Sequence, residues 1–221
     1  MTLIVCLKAR DSIVVAADSL TTNSSGHVFS KQTNKIHKFG QKAATAGCGL
    51  ARVSGKCWDV IFHSNHTQVS RTKFSKTVTN LRNFLDSEIQ KVPRNHYNAC
   101  NGGNTFLLAE YNPYVNGFVV SELKRIGDRR AFETPTSILS YSTEPNFITW
   151  RGDIKNITTF IKLRSKLYSS KMSTPQAIDF AYKSILGGLK AKPSSKKTIG
   201  GDFITICVVS NKRVETLKKP I

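Results

Sequence analysis

Two short apolar runs near the start of the chain constrain its fold more than any other feature. Residues 3–7 (LIVCL) and 13–17 (IVVAA) contain no polar side chain, and the five residues between them, KARDS, are mostly polar. Strands that are apolar at every position are typical of sheets covered on both faces, because a sheet with one face in water alternates apolar and polar residues. The two runs therefore predict a β-hairpin buried in a layered protein.

The rest of the chain divides into segments with strand or helix periodicity. Apolar runs bounded by turn residues predict further strands at residues 33–39, 43–46, 105–110, 117–122, 137–142 and 203–209. Apolar residues three and four positions apart predict helices around residues 53–61 and 78–89, over 154–168, and from 173 to an end marked by Gly187, Gly188 and Pro193. We expect a short polar tail after the last strand.

The order of these elements indicates the fold class. Four strands precede a pair of helices, three strands follow, and a second pair of helices precedes the last strand. This order predicts an α+β fold in which antiparallel sheets are sandwiched between helical layers. A chain of 221 residues suits one core, so we expect a single domain over residues 1–221.

Composition narrows the setting in which this domain works. No apolar run approaches the length of about 20 residues that a membrane helix needs, so we expect no membrane span. The five cysteines show no paired spacing, which favours buried thiols in a reducing compartment, and we expect the cytoplasm. A strand that begins at residue 3 is expected to leave no room for a signal or transit segment.

The chain is strongly basic, with 33 Lys and Arg against 14 Asp and Glu and a net charge of +19. Residues 151–221 contribute 15 of the bases and 4 of the acids. Such an excess forms either a solvated face that docks partners or a surface for nucleic acid. The bases are scattered through helical segments and do not alternate with stacking aromatic residues, so nucleic acid is the less favoured partner.

Four residues spread over the first fifty predict a catalytic site. Thr2 stands next to the start, Asp18 ends the second strand, Lys35 lies in the third, and Gly47 follows the fourth. Removal of Met1 would leave Thr2 with a free α-amino group beside its own hydroxyl. An α-amino group has a pKa near 8, so at neutral pH a useful fraction can accept the hydroxyl proton and act as the base for nucleophilic attack.

The other three residues fit supporting roles around that nucleophile. The ammonium of Lys35 would disfavour protonation of the amine, and the carboxylate of Asp18 would hold the lysine charged and oriented. The N–H of Gly47, at a strand end, could donate to an oxyanion. Each residue alone has an ordinary structural explanation, and the hypothesis depends on their combination and order.

These residues lie in segments that resemble the opening of proteasome β-type subunits. The matching stretches are residues 2–5 (TLIV), 14–19 (VVAADS), 34–38 (NKIHK) and 46–49 (AGCG). The resemblance also extends to small bacterial proteasome homologues, in which a methionine directly precedes the threonine. It implies the N-terminal nucleophile hydrolase fold, a four-layer helix-sheet-sheet-helix sandwich, and a threonine endopeptidase that needs neither a cofactor nor a metal.

The same resemblance implies a set of site residues. Thr2 is the nucleophile, Asp18 and Lys35 support it, and Gly47 is the oxyanion donor. Ser142, in the segment YSTEP, matches in part a family serine near the terminal amine. Four further positions are implied to bind the polypeptide substrate: Thr22 and Gly49 along its backbone, and Thr45 and Val53 beside the first side-chain pocket.

The resemblance further implies stacked homo-oligomeric rings with an internal chamber, and it leaves open whether an ATPase or other unfoldase docks on them. One departure supports an alternative. Two family residues that brace the site correspond here to Lys196 and Ile199, so the chain could instead be a non-catalytic ring or scaffold subunit.

Three other patterns are weaker candidates for sites. His63 and His66 lie three residues apart on a predicted helix without a third metal ligand. His96 and Cys100 could form a thiol dyad but have no orienting group. Residues 101–104 (NGGN) predict a turn and not a phosphate-binding loop, because no helix follows them.

Overall fold

The structure of the chain, a computed structural model, describes residues 2–22, 27–49, 52–53, 56–65, 76–92, 103–126, 131–140, 146–152, 154–191 and 199–221. Within these residues the strands are β1 (Leu3–Lys8), β2 (Ser12–Asp18), β3 (Thr21–Thr22), β4 (Val28–Ser30), β5 (Ile36–Lys38), β6 (Ala43–Cys48), β7 (Arg52–Val53), β8 (Lys56–Cys57), β9 (Asn104–Asn112), β10 (Gly117–Arg125), β11 (Thr136–Ser140), β12 (Ile148–Gly152), β13 (Phe203–Ser210) and β14 (Val214–Pro220). The helices are α1 (Trp58–Ser64), α2 (Thr77–Gln90), α3 (Thr158–Lys166) and α4 (Thr174–Ala191), and a 3-10 turn (Lys155–Ile157) precedes α3.

Two five-stranded antiparallel sheets form the centre of the fold. The first sheet has the strand order β12-β1-β2-β13-β14, and the second has the order β11-β10-β9-β6-β5. Two small hairpins, β3-β4 and β7-β8, lie outside these sheets. The protein is therefore α+β with antiparallel sheets, as the order of the elements predicts.

Three apolar clusters show how the elements are layered. One cluster joins residues of both sheets and includes Ile4, Val15 and Leu107. A second lies between the first sheet and α4, and a third lies between the second sheet and helices α1 and α2. Sheets that share a core, with helices on their outer faces, are compatible with the predicted sandwich.

The opening hairpin is the clearest success of the sequence pattern. Strands β1 and β2 pair antiparallel, with Ile4 opposite Ala17, and every residue of both strands is buried. Alternate side chains enter the core between the sheets and the core beneath α4, so both faces of the strands must be apolar. This double burial explains the two continuous apolar runs.

Two predicted elements near the site are shorter than the pattern suggests. The helix predicted around residues 53–61 begins only at Trp58, because residues 52–53 and 56–57 pair as the β7-β8 hairpin. The strand predicted over residues 33–39 is reduced to β5, because the Thr33 N–H donates to Ser19 O and the Asn34 N–H donates to Asp59 instead of to a neighbouring strand. Tertiary hydrogen bonds thus override the local periodicity.

The predicted end of the last helix is right only in part, since α4 continues through Gly187 and Gly188 and ends at Ala191, two residues before Pro193. A Cβ at Gly187 would lie 2.5 Å from Phe160 Cζ, and one at Gly188 would lie 2.6 Å from Leu3 Cδ2. The two glycines therefore let α4 approach α3 and the first sheet closely. Their spatial role cannot be distinguished from that of a helix stop by sequence alone.

Three pairings do not appear among the predicted elements. The β3-β4 hairpin is one, and β12, which pairs with β1, is another. The predicted polar tail is the third, because residues 214–220 form β14, which pairs along the length of β13. Only Val214 of β14 is buried, and the strand carries Glu215, Lys218 and Lys219, charged residues typical of a protected sheet edge.

Two features relate to the predicted setting of the protein. No helix among the described residues is long and apolar enough to cross a membrane. Cys6, Cys48, Cys57 and Cys207 are free thiols, and Cys100 lies outside the described residues.

Glu110 on β9 gives the fold a pH dependence that can be measured. Its Oε2 is buried with no hydrogen-bond partner among the residues that the structure describes, and burial raises the pKa of Glu110 from 4.5 to about 8. Between these values, unfolding releases a proton, so the free energy of unfolding contains a term that decreases as the pH rises. Glu110→Gln should therefore stabilise the protein at pH 8 by about 1 to 3 kcal/mol and have a smaller effect at pH 4.5.

The measurement is urea unfolding of both proteins at the two pH values. Glu215→Gln, on the exposed edge strand β14, is the matched control and should change little at either pH. A Glu110→Gln variant with the same loss of stability at both pH values would show that this carboxyl is ionised in the folded protein.

Candidate active site

Thr2 lies at a small cleft between the ends of the strands. Thr2 is only 6% exposed, and the cleft has a volume of about 40 Å³. Lys35, the end of β6 from Gly47 to Gly49, and the aromatic side chains of Trp58 and Phe106 also line it. The structure therefore brings the predicted residues Thr2, Lys35 and Gly47 to one cavity.

The carboxylate of Asp18 links three segments of the chain behind Thr2. Its Oδ1 accepts the N–H of Leu3 at 2.8 Å and the Nζ of Lys35 at 3.0 Å, and its Oδ2 accepts the N–H of Gly200 at 2.9 Å. Asp18 is 1% exposed and Lys35 is 7% exposed. Because Leu3 N is bonded to the Thr2 carbonyl carbon, this carboxylate holds the lysine cation beside the peptide of Thr2.

Burial and the ion pair act in opposite directions on Lys35. The pKa of Lys35 lies below its ordinary value, because the lowering by burial exceeds the raising by the charge and the hydrogen bond of Asp18. The Nζ also donates to the carbonyl oxygen of Leu20 at 2.5 Å. These fixed acceptors hold the lysine in one position, which is what a cation that tunes a neighbouring amine requires.

The backbone around Gly200 supports Asp18 from the opposite side. The carbonyl oxygen of Gly200 accepts the N–H groups of Ser19 and Leu20, and the Ser19 hydroxyl oxygen accepts the N–H of Asp202. Ile199 is buried in the core beneath α4, and Lys196 lies outside the described residues. On this side Asp18 is therefore supported by the backbone N–H of Gly200, whereas the side chain at residue 199 is apolar and packs in the core.

Gly47 has two constraints that affect its predicted role as an oxyanion donor. Its N–H donates to the carbonyl oxygen of Lys35 at 3.2 Å, within the pairing of β5 and β6. A Cβ at this position would lie 2.4 Å from Phe106 Cε1, so the ring leaves no space for a side chain. To stabilise an oxyanion, this N–H would have to share or exchange its present acceptor, and the role stays a prediction.

The backbone of Thr2 is clamped from the side of β12. Leu3 pairs with Gly152, and a Cβ at Gly152 would lie only 1.8 Å from the Thr2 carbonyl oxygen. Gly152 also has a φ of +100°, which disfavours other residues. This close approach holds residue 2 against the sheet at the position from which its side chain reaches the cleft.

A thiol also lines the cleft, at Cys48. Burial raises the pKa of Cys48 to about 11, although the charges of Arg151 and Lys35 oppose the shift. The thiol is therefore protonated at neutral pH and is a poor nucleophile. It leaves the hydroxyl of Thr2 as the better candidate for covalent chemistry.

Comparison with protein families and with curated proteins adds no relative for this site. No protein-family model matches the chain. No curated protein matches it either. The chemistry of the cleft is therefore inferred from its own residues and from the resemblance of its opening segments.

The residues predicted to bind substrate lie around the cleft to different degrees. Gly49 lines it, whereas Thr22 follows Thr21, the β3 residue that contributes to the lining. Thr45, two residues before Gly47 on β6, is fully buried and does not line the cleft. Val53 packs in the core against α1 and α2. Ser142 lies outside the described residues.

Sequence reasoning missed two groups that shape the cleft. His37 lies two residues after Lys35 on the same strand face, so the period of two residues along a strand could have placed it there. Trp58 and Phe106 meet edge to face with ring centroids 5.2 Å apart. No local signal brings α1 and β9 together, and only the packed fold shows that these rings form one wall.

The weaker candidates form no comparable cluster. His63 is exposed on α1, and its predicted partner His66 lies outside the described residues, as do His96 and Cys100. Among the residues that the structure describes, no group of three or more His, Cys, Asp or Glu could hold a metal ion. Residues 101 and 102 of the predicted turn lie outside the described residues, and Asn104 already belongs to β9.

Proposed function

We propose that this chain is a threonine peptidase of the N-terminal nucleophile type, with Thr2 as its nucleophile once Met1 is removed. The single observation that carries the proposal is the buried Asp18–Lys35 pair, whose carboxylate also binds the N–H that follows Thr2. A buried ion pair costs desolvation energy, and two hydrophobic side chains of similar volume would often leave the folded protein as stable. A role in activating the neighbouring terminus explains why the pair is there.

The proposed reaction uses groups of this chain alone. The α-amine of Thr2 takes the hydroxyl proton while Oγ1 attacks the carbonyl carbon of the scissile bond. The C–N bond then breaks, the leaving amine takes the proton, and an ester forms on Thr2. Water attacks that ester with the same amine as base, which releases the acid product and restores the hydroxyl. The Lys35 cation favours the deprotonated amine throughout.

The wider setting follows from the resemblance to proteasome β-type subunits. It includes the N-terminal nucleophile hydrolase fold, stacked homo-oligomeric rings in the cytoplasm, and polypeptide substrates, with an ATPase or other unfoldase as a candidate partner. The two sheets with helices on their outer faces support the fold part of this proposal. The assembly and its partners are part of the proposal through the resemblance alone.

A non-catalytic ring subunit is the second candidate function. The observation that favours it is the hydrogen bond from the Gly47 N–H to Lys35 O, which occupies the donor that an oxyanion would need. In such a subunit the Asp18–Lys35 pair would serve only to connect β2, β5 and the chain start. The two candidates make opposite predictions about the reactivity of Thr2.

Intact mass spectrometry of the assembled protein, before and after treatment with a peptide epoxyketone, tests the proposal. We expect a mass without Met1 and a single adduct, because this electrophile bonds to both the hydroxyl and the amine of an N-terminal threonine. Thr2→Ala should form no adduct, and Thr136→Ala, on the exposed start of β11, should react as the wild type does. A retained Met1, or no adduct on a mature Thr2, would favour the non-catalytic subunit.

A further inference from the structure

The short helix α3 exposes two leucines to solvent. None of its nine residues is buried, Leu163 is 59% exposed, and Leu167, which caps the helix, is 65% exposed. A helix shorter than about 12 residues is marginal in water and depends on the packing of an apolar face. Phe160 and Ile161 pack partly against the core beneath α4, which leaves the side with the two leucines open to another molecule.

A groove between α3 and the first half of α4 lies next to these leucines. Its volume is about 530 Å³, within the range of about 300 to 1,000 Å³ that is typical of binding sites. Arg164 lines the groove, and Leu167, three residues later, projects from the same side of α3, as does Leu163 one turn before it. The apolar residues of the lining are Met172, Pro175 and Phe180. We call the groove and the two leucines together the α3–α4 surface.

The α3–α4 surface is strongly basic. Residues 154–191 contain seven Lys and Arg and a single acidic residue, Asp179, which gives a net charge of +6. Asp179 already pairs with Lys183, with 2.9 Å between Oδ2 and Nζ. Lys162 and Lys166 are exposed on α3 beside the leucines. The complementary surface is therefore apolar at its centre and acidic around it.

Arg164 places one of these cations in a fixed position at the groove. Its guanidinium lies over the ring of Phe180, 4.2 Å from the centroid, and its Nε donates to Ser184 Oγ at 3.0 Å. A second guanidinium nitrogen donates to the carbonyl oxygen of Phe180 at 3.3 Å. A side chain that is already ordered loses little further entropy when a carboxylate binds to it. Arg164 is thus suited to anchor an acidic residue of a partner.

Two other occupants fit this surface less well. A two-fold contact between two copies of the chain would place the same patch on both sides, so that two surfaces of charge +6 would face and repel each other. A nucleic-acid strand would need exposed aromatic rings for stacking, but Phe180 is only 6% exposed. Phosphates would also leave the two leucines in water.

We propose that the α3–α4 surface docks an acidic amphipathic helix of a partner protein. The apolar side of that helix would cover Leu163 and Leu167 and enter the groove, and its carboxylates would pair with Arg164 and the surrounding lysines. This is the helix-in-groove mode of recognition, in which apolar residues three and four apart anchor the helix. The proposal does not depend on the chemistry of Thr2.

The test measures the binding of three fluorescent peptides to the assembled wild-type protein by fluorescence anisotropy at physiological salt. The first peptide is a helix of leucine and glutamate with its leucines along one side. The second has the same composition in scrambled order, and the third has glutamine in place of glutamate. We expect the first peptide to bind at least about tenfold more tightly than either of the others, because it alone combines the apolar stripe with negative charge.

Substitutions of exposed residues locate the binding surface without affecting the fold. Leu163→Gln/Leu167→Gln should weaken binding of the first peptide about tenfold or more, because two apolar contacts at the centre of the surface are lost. Lys166→Glu should weaken it several-fold. Lys212→Glu, in the exposed turn between β13 and β14, makes the same change in net charge and should leave the affinity within about twofold of the wild type.

Several results would overturn the proposal. No binding of any peptide, or equal binding of the scrambled or the glutamine peptide, would show that the surface does not recognise an acidic amphipathic helix. Dissociation of the assembly by Leu163→Gln/Leu167→Gln would show that a second copy of the chain covers the leucines. A DNA duplex that binds more tightly than the first peptide and loses affinity in Lys166→Glu would assign the surface to nucleic acid.

Discussion

Thr2→Ala should lower kcat for peptide cleavage by at least about a thousandfold, the largest effect of any single substitution in this chain. The variant removes the attacking oxygen but keeps the α-amine, Lys35 and Asp18, and no other group of the cleft can replace the nucleophile. The thiol of Cys48 cannot do so, because burial raises its pKa to about 11. The measurement is the steady-state cleavage of a fluorogenic peptide by the purified assembly.

Thr2→Ser is the informative companion variant. It keeps the hydroxyl and loses only the methyl group that restricts χ1, so a substantial fraction of the activity should remain. Alanine and serine are both small enough that Met1 should still be removed, and intact mass confirms this for each variant. Equal activity of wild type and Thr2→Ala at matched assembly size would refute Thr2 as the nucleophile.

Lys35→Met should destabilise the folded protein by about 3 to 5 kcal/mol and strongly reduce, but not abolish, cleavage. The substitution leaves the buried carboxylate of Asp18 without its cation, and an uncompensated charge in the interior is more costly than the loss of the pair itself. The N–H groups of Leu3 and Gly200 still bind this carboxylate, which limits the loss. The free energy of unfolding from denaturant titration gives the value.

Two further variants separate the ion pair from general damage to the strand. Lys38→Met, at the exposed end of β5 three residues after Lys35, should change the stability by less than about 0.5 kcal/mol. In the double variant Asp18→Asn/Lys35→Met, the loss should be smaller than the sum of the two single losses, because neither charge remains buried. Strict additivity would show that Asp18 and Lys35 do not interact, contrary to their 3.0 Å contact.

Comparison of Lys35→Met with Lys35→Arg distinguishes a structural role of Lys35 from a role in lowering the pKa of the terminal amine. Lys35→Arg keeps a cation at the site, whereas the methionine variant does not. If the Lys35 cation lowers the pKa of the terminal amine, kcat should reach its plateau at a higher pH in Lys35→Met than in Lys35→Arg or the wild type. A loss of stability alone would change the amount of folded enzyme but not this pH profile.

Local periodicity was a reliable guide where an element has two buried faces or one clear stripe. The continuous apolar runs of β1 and β2 and the stripe of Leu81, Leu85 and Ile89 on α2 all correspond to observed burial. It failed where partners distant in the sequence decided the conformation. Residues 52–57 form a hairpin despite helical spacing, and β14 forms beside β13 despite its polar composition.

The candidate site divides in the same way. The sequence by itself determined which residue types stand near the chain start and that Thr2, Asp18, Lys35 and Gly47 lie next to strands whose residues are largely buried. It could not determine that Gly200, 182 residues after Asp18, supplies a backbone N–H to that carboxylate, or that the Gly47 N–H already binds Lys35 O.

The physical reason lies in the range of the interactions. Whether a strand is buried on both faces is recorded in the order of its own side chains, because alternate residues meet different layers. Which hydrogen-bond donor reaches a given carboxylate depends instead on the register between strands and on how closely helices approach the sheets. Those contacts join distant residues, so only the tertiary structure decided the geometry on which the chemistry of this cleft depends.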